Sequence, residues 1–167
     1  DLDILPGEFT AIAGPSGSGK STLLHIMGGL DHPTAGEVWL QGRRIDRLDH
    51  NALAQLRLRK LGFVFQSYNL IPVLTALENA AFVLELQGVG RREREARARK
   101  ALEDLGIGPL AGRRPNQLSG GEQQRVAVSR AMAAVPSLIL ADEPTANLDG
   151  KTGGALIDEM RHLNREH

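Results

Sequence analysis

The stretch that most restricts how this chain can fold is Gly14-Pro15-Ser16-Gly17-Ser18-Gly19-Lys20-Ser21-Thr22. It fits the pattern G-x-x-x-x-G-K-[ST], a phosphate-binding loop that needs a strand before it and a helix after it. Both neighbours are legible. Residues 9–13 (Phe9-Thr10-Ala11-Ile12-Ala13) read as a short buried strand, and residues 21–27 read as a helix stopped by Gly28-Gly29. The glycines at 14, 17 and 19 let the backbone wrap phosphate oxygens with inward-pointing N–H groups, backed by the positive end of the following helix. On this reading Lys20 reaches the β- and γ-phosphates and the Ser21 hydroxyl faces a Mg2+ ion. A Gly/Ser-rich surface turn that happens to hold a lysine is the competing reading, and it leaves the flanking strand and helix unexplained.

Composition bounds the rest. At 167 residues, 41% hydrophobic and 24% charged, the chain suits a single globular domain with its own core. Lys plus Arg and Asp plus Glu both number 20, so no overall field draws the chain to nucleic acid or to an anionic membrane. Cysteine is absent, which excludes disulfides and thiolate metal sites. No apolar run approaches the length of a membrane span, and the first residues lack a signal-peptide pattern, so membrane association is expected to come through a partner. The chain opens on Asp1-Leu2-Asp3 and enters a strand within a few residues, which gives the expectation of a piece cut from something longer.

Beyond the first helix, residues 31–36 read as a loop, and residues 37–40 alternate like a strand that turns at Gln41-Gly42 into a small antiparallel element. Asp49 or Asn51 is placed to cap a helix running to about Arg59, and residues 61–65 read as a buried strand ending at Gln66. Thr75 and Glu78 have capping-box spacing and open an apolar helix that ends at Gly88. Residues 91–106 form a charged helix. Its arginines at 91, 92, 94, 97 and 99 are interleaved with Glu93, Glu95, Glu103 and Asp104, the pattern of a solvated face rather than a nucleic-acid patch.

Two further stretches carry chemistry. In Leu118-Ser119-Gly120-Gly121-Glu122-Gln123-Gln124-Arg125 a second capping-box pair, Ser119 and Glu122, opens a helix to about Val135, before Pro136. Gly-Gly in its first turn weakens the helix, which capping alone does not explain, whereas free N–H groups beside a hydroxyl make a seat for a phosphate. Leu138-Ile139-Leu140-Ala141-Asp142-Glu143 then reads as an apolar strand ending in two carboxylates. Ligands of open α/β sheets sit beyond the carboxyl ends of strands, so both acids are expected at the phosphate loop. Asp142 suits the Mg2+ shell, and Glu143 suits orienting or deprotonating an attacking water.

Taken together, the phosphate loop (Walker A), Gln66 (the Q-loop), residues 118–125 (the signature), residues 138–143 (Walker B) and Ala146-Asn147-Leu148-Asp149 (the D-loop) resemble the ATP-binding subunits of ABC transporters in order and spacing. Residues 69–79 and 114–117 are most similar to the lipoprotein-releasing and macrolide-export ATPases and their cell-division relative. The resemblance implies an α/β fold: a P-loop NTPase core of the ABC type, with an antiparallel β element and an inserted α-helical subdomain. Residues 1–66 and 136–167 would be the catalytic core and about 67–135 the helical subdomain, including the signature helix. It also implies a head-to-tail homodimer in which Ser119, Gly120 and Gly121 of one copy grip the γ-phosphate held by Lys20 of the other. Glu143 would be the catalytic base, Gln66 would touch Mg2+ and the attacking water, and Asp149 would lie at the dimer seam. A transmembrane permease is the implied partner, which places the ATPase peripherally on the cytoplasmic face of a membrane, with no direct contact to nucleic acid.

Two features depart from the family pattern. No aromatic residue that would stack on adenine precedes Phe9, itself read as a strand core residue, so nucleotide affinity is expected to be reduced by about 1–3 kcal/mol. The switch histidine of the family is missing: the sequence stops at His167, and neither it nor His162, His25, His32 or His50 matches the family position. Two other readings stay open here: a soluble ABC-type ATPase acting on ribosomes or DNA, and a nucleotide-binding fragment without turnover.

Overall fold

The computed structural model describes residues 2–166, so Asp1 and His167 lie outside the described residues. These form six α-helices, four strands and two short 3-10 turns. The helices are α1 (Lys20–Met27), α2 (His50–Lys60), α3 (Ala76–Leu86), α4 (Arg91–Asp104), α5 (Gly120–Ala133) and α6 (Gly150–Glu166). The strands are β1 (Trp39–Leu40), β2 (Arg43–Arg44), β3 (Leu61–Val64) and β4 (Leu138–Ala141).

The caps expected from sequence form as read. Asp49 accepts from Ala52 N–H at 2.8 Å and starts α2, while Thr75 with Glu78 and Ser119 with Glu122 each close a complete capping box. Strands β1 and β2 pair antiparallel through Gln41 and Gly42, both at positive φ, as a two-residue hairpin turn requires. The expected strand over residues 37–40 is thereby trimmed to its last two residues.

β3 and β4 pair in parallel, with Leu61 opposite Leu138 and Val64 opposite Ala141. Helix α5 packs against β3 and against α3 and α4. The main core lies there, built from Val64, Ala80, Ala98, Leu102, Leu105, Val126, Val128 and Leu156, all at most 1% exposed. Alanines on all three helices let the backbones approach closely. Arg125 ties the assembly together from α5, donating to the Leu105 carbonyl at 3.1 Å and pairing with Glu159 of α6. The charged helix α4 satisfies much of its own charge through Arg91–Glu95, Arg97–Glu93 and Lys100–Asp104 pairs, as a solvated face does.

One expected element is absent. Residues 9–13 are extended but unpaired and mostly exposed, and Phe9 is 36% exposed rather than a core residue. A strand exists only through its ladder, and among the described residues no neighbour supplies one. The Phe9 ring is covered instead by the Arg161 guanidinium, 5.3 Å from its centroid.

The loop before α3 is organised by a single buried amide. Asn79, fully buried, accepts from Ile71 N–H at 2.7 Å and donates to the carbonyls of Ile71, Leu74 and Thr75 at 3.0–3.1 Å. Replacing it with alanine orphans the Ile71 N–H and the Leu74 carbonyl, whereas the Ile71 and Thr75 carbonyls keep the backbone N–H groups of residues 74 and 79. Asn79→Ala is expected to lower the unfolding free energy by about 1–3 kcal/mol, measured as a lower denaturant midpoint at unchanged slope. An unshifted midpoint would contradict this account of the loop.

Candidate functional site

The phosphate loop runs from Gly14 to the start of α1. Gly19 is the N-cap of that helix at φ 90°, a conformation that glycine adopts without strain. No side chain caps α1, so its first N–H groups stay open toward the loop. Lys20 Nζ donates back to the carbonyls of Gly14 at 3.0 Å and Pro15 at 2.9 Å, which holds the ammonium over the loop. Ser18 N–H closes the turn onto the Pro15 carbonyl at 3.3 Å.

Across the sheet, Ser21 Oγ donates to Asp142 Oδ1 at 3.0 Å, joining residues 121 positions apart. This bond brings the phosphate loop to the carboxyl end of β4. The Asp142 N–H also continues the β3–β4 ladder, donating to the Val64 carbonyl at 2.9 Å. Gln66 and Glu143 each follow two residues after the last pair of that ladder, Val64–Ala141. Both are exposed. Glu143 sits at φ 46°, in the left-handed region. That is an uncommon conformation for a non-glycine residue, and strain of this kind concentrates at functional positions.

A second cluster forms around the start of α5. Ser119 N–H donates to Glu122 Oε2 at 2.7 Å, and Glu122 N–H donates to Ser119 Oγ at 3.3 Å. Gly120 faces the Tyr68 hydroxyl, which would stand 2.9 Å from a Cβ at that position, and a Cβ on Gly121 would stand 2.9 Å from Thr152 Cγ2. The glycine pair therefore has a packing reason as well as a chemical one: the start of α5 is pressed against the Q-loop and the start of α6. Asn147 Nδ2 donates to the Gln66 carbonyl at 2.9 Å, linking the D-loop to the Q-loop. Asp149 caps α6 by accepting from the N–H groups of Lys151 and Thr152 at 3.1 and 3.0 Å and from Thr152 Oγ1 at 2.6 Å. The Thr152 hydroxyl, followed by its N–H, holds the Asp149 carboxyl below its usual range.

The predicted residues thus fall into two groups. Gly14 to Thr22, Asp142, Glu143 and Gln66 gather at the ends of β3 and β4, while Ser119, Gly120, Gly121 and Asp149 gather at the starts of α5 and α6. Among the described residues no hydrogen bond runs from residues 119–121 to the phosphate loop; their neighbours include residues 68, 122, 123, 147, 148 and 152. Sequence reasoning gave no role to Tyr68, Asn147 or Arg130. Tyr68, the only tyrosine of the chain, offered a signal by its place two residues after Gln66. Asn147 lay inside the D-loop motif. Arg130 offered none, because its partners are backbone carbonyls.

The model of the ABC transporter family matches residues 1–146. The chain belongs to that family. As an ABC cassette it is 55% identical over 163 residues to an uncharacterized ABC transporter ATP-binding protein of Thermotoga maritima, across 98% of this chain and 70% of the relative. It is 51% identical over 166 residues to the lipoprotein-releasing system ATP-binding protein LolD 2 of Caulobacter vibrioides, across 99% and 73%. Among solved structures it resembles the dimeric post-hydrolysis state of the ATP-binding cassette MJ0796, of Methanocaldococcus jannaschii, bound to ADP and Pi. The TM-score is 0.89 at 49% identity, covering 99% of this chain and 73% of that one. The fold is accordingly that of an ABC ATPase cassette, an α/β P-loop fold.

The capping box that starts the signature helix is a carboxylate device. The Ser119 N–H, then its hydroxyl, hold the Glu122 carboxyl below its usual value of 4.5. A lowered folded-state value means that the stabilisation is present above pH 4.5 and is lost as pH falls through the folded value. Amide exchange at residues 122 and 123, corrected for intrinsic rates, is therefore expected to speed up as pH drops from 5 to 3, about the span of carboxylate titration. Glu122→Ala should abolish that dependence; if the dependence persists in the variant, another group controls the helix start.

Proposed function

We propose that this chain binds and hydrolyses ATP as one of two head-to-tail cassettes and thereby drives a membrane permease. The observation that carries the reading is the Ser21–Asp142 hydrogen bond at 3.0 Å, which places the hydroxyl of the phosphate loop against the carboxylate at the end of β4. Those two oxygen donors suit a small hard cation that leaves most of its coordination to phosphates and water. Ser21, Asp142 and Gln66 would hold Mg2+, which when bound neutralises charge on the β- and γ-phosphate oxygens.

The remaining roles fall to the chain's own residues. The N–H groups of residues 14–22 cradle the phosphates, and Lys20 turns from the Gly14 and Pro15 carbonyls to the β- and γ-phosphates. Glu143, carried outward by its left-handed backbone, takes a proton from water as the water oxygen bonds to the γ-phosphorus. The bond to the bridging oxygen breaks, and ADP leaves with that oxygen. Ser119, Gly120 and Gly121 serve the partner copy: they present a hydroxyl and helix-start N–H groups to the γ-phosphate on its Lys20, with Asp149 near the seam. ATP then binds the closed pair better than the open one, and hydrolysis removes that difference.

Residues 1–66 and 136–167 act as the catalytic core and about 67–135 as the helical subdomain, with α5 as the joint, since it packs on both β3 and α3. Among the described residues no helix is long and apolar enough to cross a membrane, so attachment at the cytoplasmic face would come through the permease. The matched relatives are ATP-binding proteins of transporters, which favours a permease over ribosomes or DNA as partner.

Glu143→Gln is expected to retain ATP and accumulate ATP-dependent dimers while turnover falls by about two orders of magnitude or more, within the usual contribution of a general base. Near-parental turnover would remove Glu143 from that role. Ser119→Arg is expected to leave nucleotide binding by the monomer intact and to block dimerisation. ATP-dependent dimers on size-exclusion chromatography of that variant would refute the shared site.

A further inference from the structure

The loop after β3 has a feature that nucleotide binding does not require. Tyr68 and Asn69 are adjacent non-glycine residues in the left-handed region, at φ 52° and 48°. Such residues rarely adopt this conformation, and two in succession need support from their surroundings. The Tyr68 N–H reaches back to the Phe65 carbonyl at 3.3 Å and the Asn69 N–H to that of Ser67, coiling the loop tightly. Their own carbonyls meet Arg130 of α5, which donates from Nη1 to Asn69 O at 2.6 Å and from Nη2 to Tyr68 O at 3.0 Å.

Arg130 is an unusual choice for that place. It is half-buried, and among the described residues no carboxylate lies within ion-pair distance of it. Burial lowers its pKa from the ordinary arginine value. A partly desolvated cation without a counter-ion is costly unless its hydrogen bonds serve a purpose, and a planar fork fits two neighbouring carbonyls as an ammonium does not. The clamped loop is also tied elsewhere. Its Gln66 carbonyl accepts from Asn147, and its Tyr68 hydroxyl occupies the space that Gly120 leaves by lacking a Cβ.

We infer that Arg130 is a positioning residue for ATP hydrolysis: its guanidinium clamps the turn at Tyr68 and Asn69, and so sets where Gln66 stands against Asn147 and where Tyr68 stands against the start of α5. The inference rests on the ATPase reading above. Arg130 acts through these residues, so its loss disturbs turnover more than nucleotide capture. The phosphate loop holds Lys20 through the Gly14 and Pro15 carbonyls, independently of the clamp.

The test compares Arg130→Lys and Arg130→Met in the intact protein, with Lys20→Ala as control. Amide exchange across residues 66–71 is expected to speed up about tenfold in Arg130→Lys and further in Arg130→Met. The kcat for ATP should fall about tenfold in the lysine variant and more in the methionine variant, while the Kd for a fluorescent ATP analogue stays within about twofold. Unchanged exchange in Arg130→Lys overturns the clamp, and this readout needs no turnover. A loosened loop with kcat within about twofold of the parent overturns the positioning role, as do equal losses of binding and turnover. Should Arg130→Met fail to fold, the lysine variant decides alone. Full turnover in Lys20→Ala would instead sink the ATPase reading, an outcome separate from the clamp.

Discussion

The contact on which the rest of this structure depends is the hydrogen bond from Ser21 to Asp142. It joins the start of α1 to the end of β4, beside which the parallel strand β3 also ends. Parallel pairing places the exits of both strands side by side, so that the chain leaves β3 toward Gln66 and β4 toward Asp142 and Glu143 at one edge of the sheet. The glycine loop supplies the N–H groups and the sheet edge supplies the oxygens. The Ser21–Asp142 bond brings the two together.

From that contact outward, the helices do two jobs. Helices α3, α4 and α5 bury an alanine-rich core that takes in Val64 of β3 as well. The start of α5 belongs to that packed group and lies against the Q-loop and D-loop. On the proposed reading each chain offers one phosphate loop and one separate helix start with a hydroxyl and two glycines. On that reading two chains head to tail would bring both together, and the MJ0796 cassette that the fold resembles is dimeric.

Much of this was legible in the sequence because the relevant signals are local. The pattern ending in Gly19-Lys20-Ser21, the Thr75–Glu78 and Ser119–Glu122 capping boxes, and the Gln41-Gly42 turn each depend on residues within one turn of chain. The apolar run at β4 with its terminal acids is nearly as local. What escaped the sequence is non-local. Phe9 sits in an apolar run of strand-like composition, yet strand formation depends on a neighbour that composition does not reveal, and its ring meets Arg161 instead. Arg130 reads like any helix cation until the carbonyls of Tyr68 and Asn69 are found beneath it. The glycines at 120 and 121 suggested phosphate chemistry, but their crowding by Tyr68 and Thr152 became visible only when the elements were packed.

Asn79 carries one last consequence. Its buried amide is fastened to both ends of the short segment that precedes α3, while Val73 at the crest of that segment is 72% exposed. A group that touches Val73 therefore meets a segment already held at both ends by one side chain, and little further chain entropy is lost in ordering it.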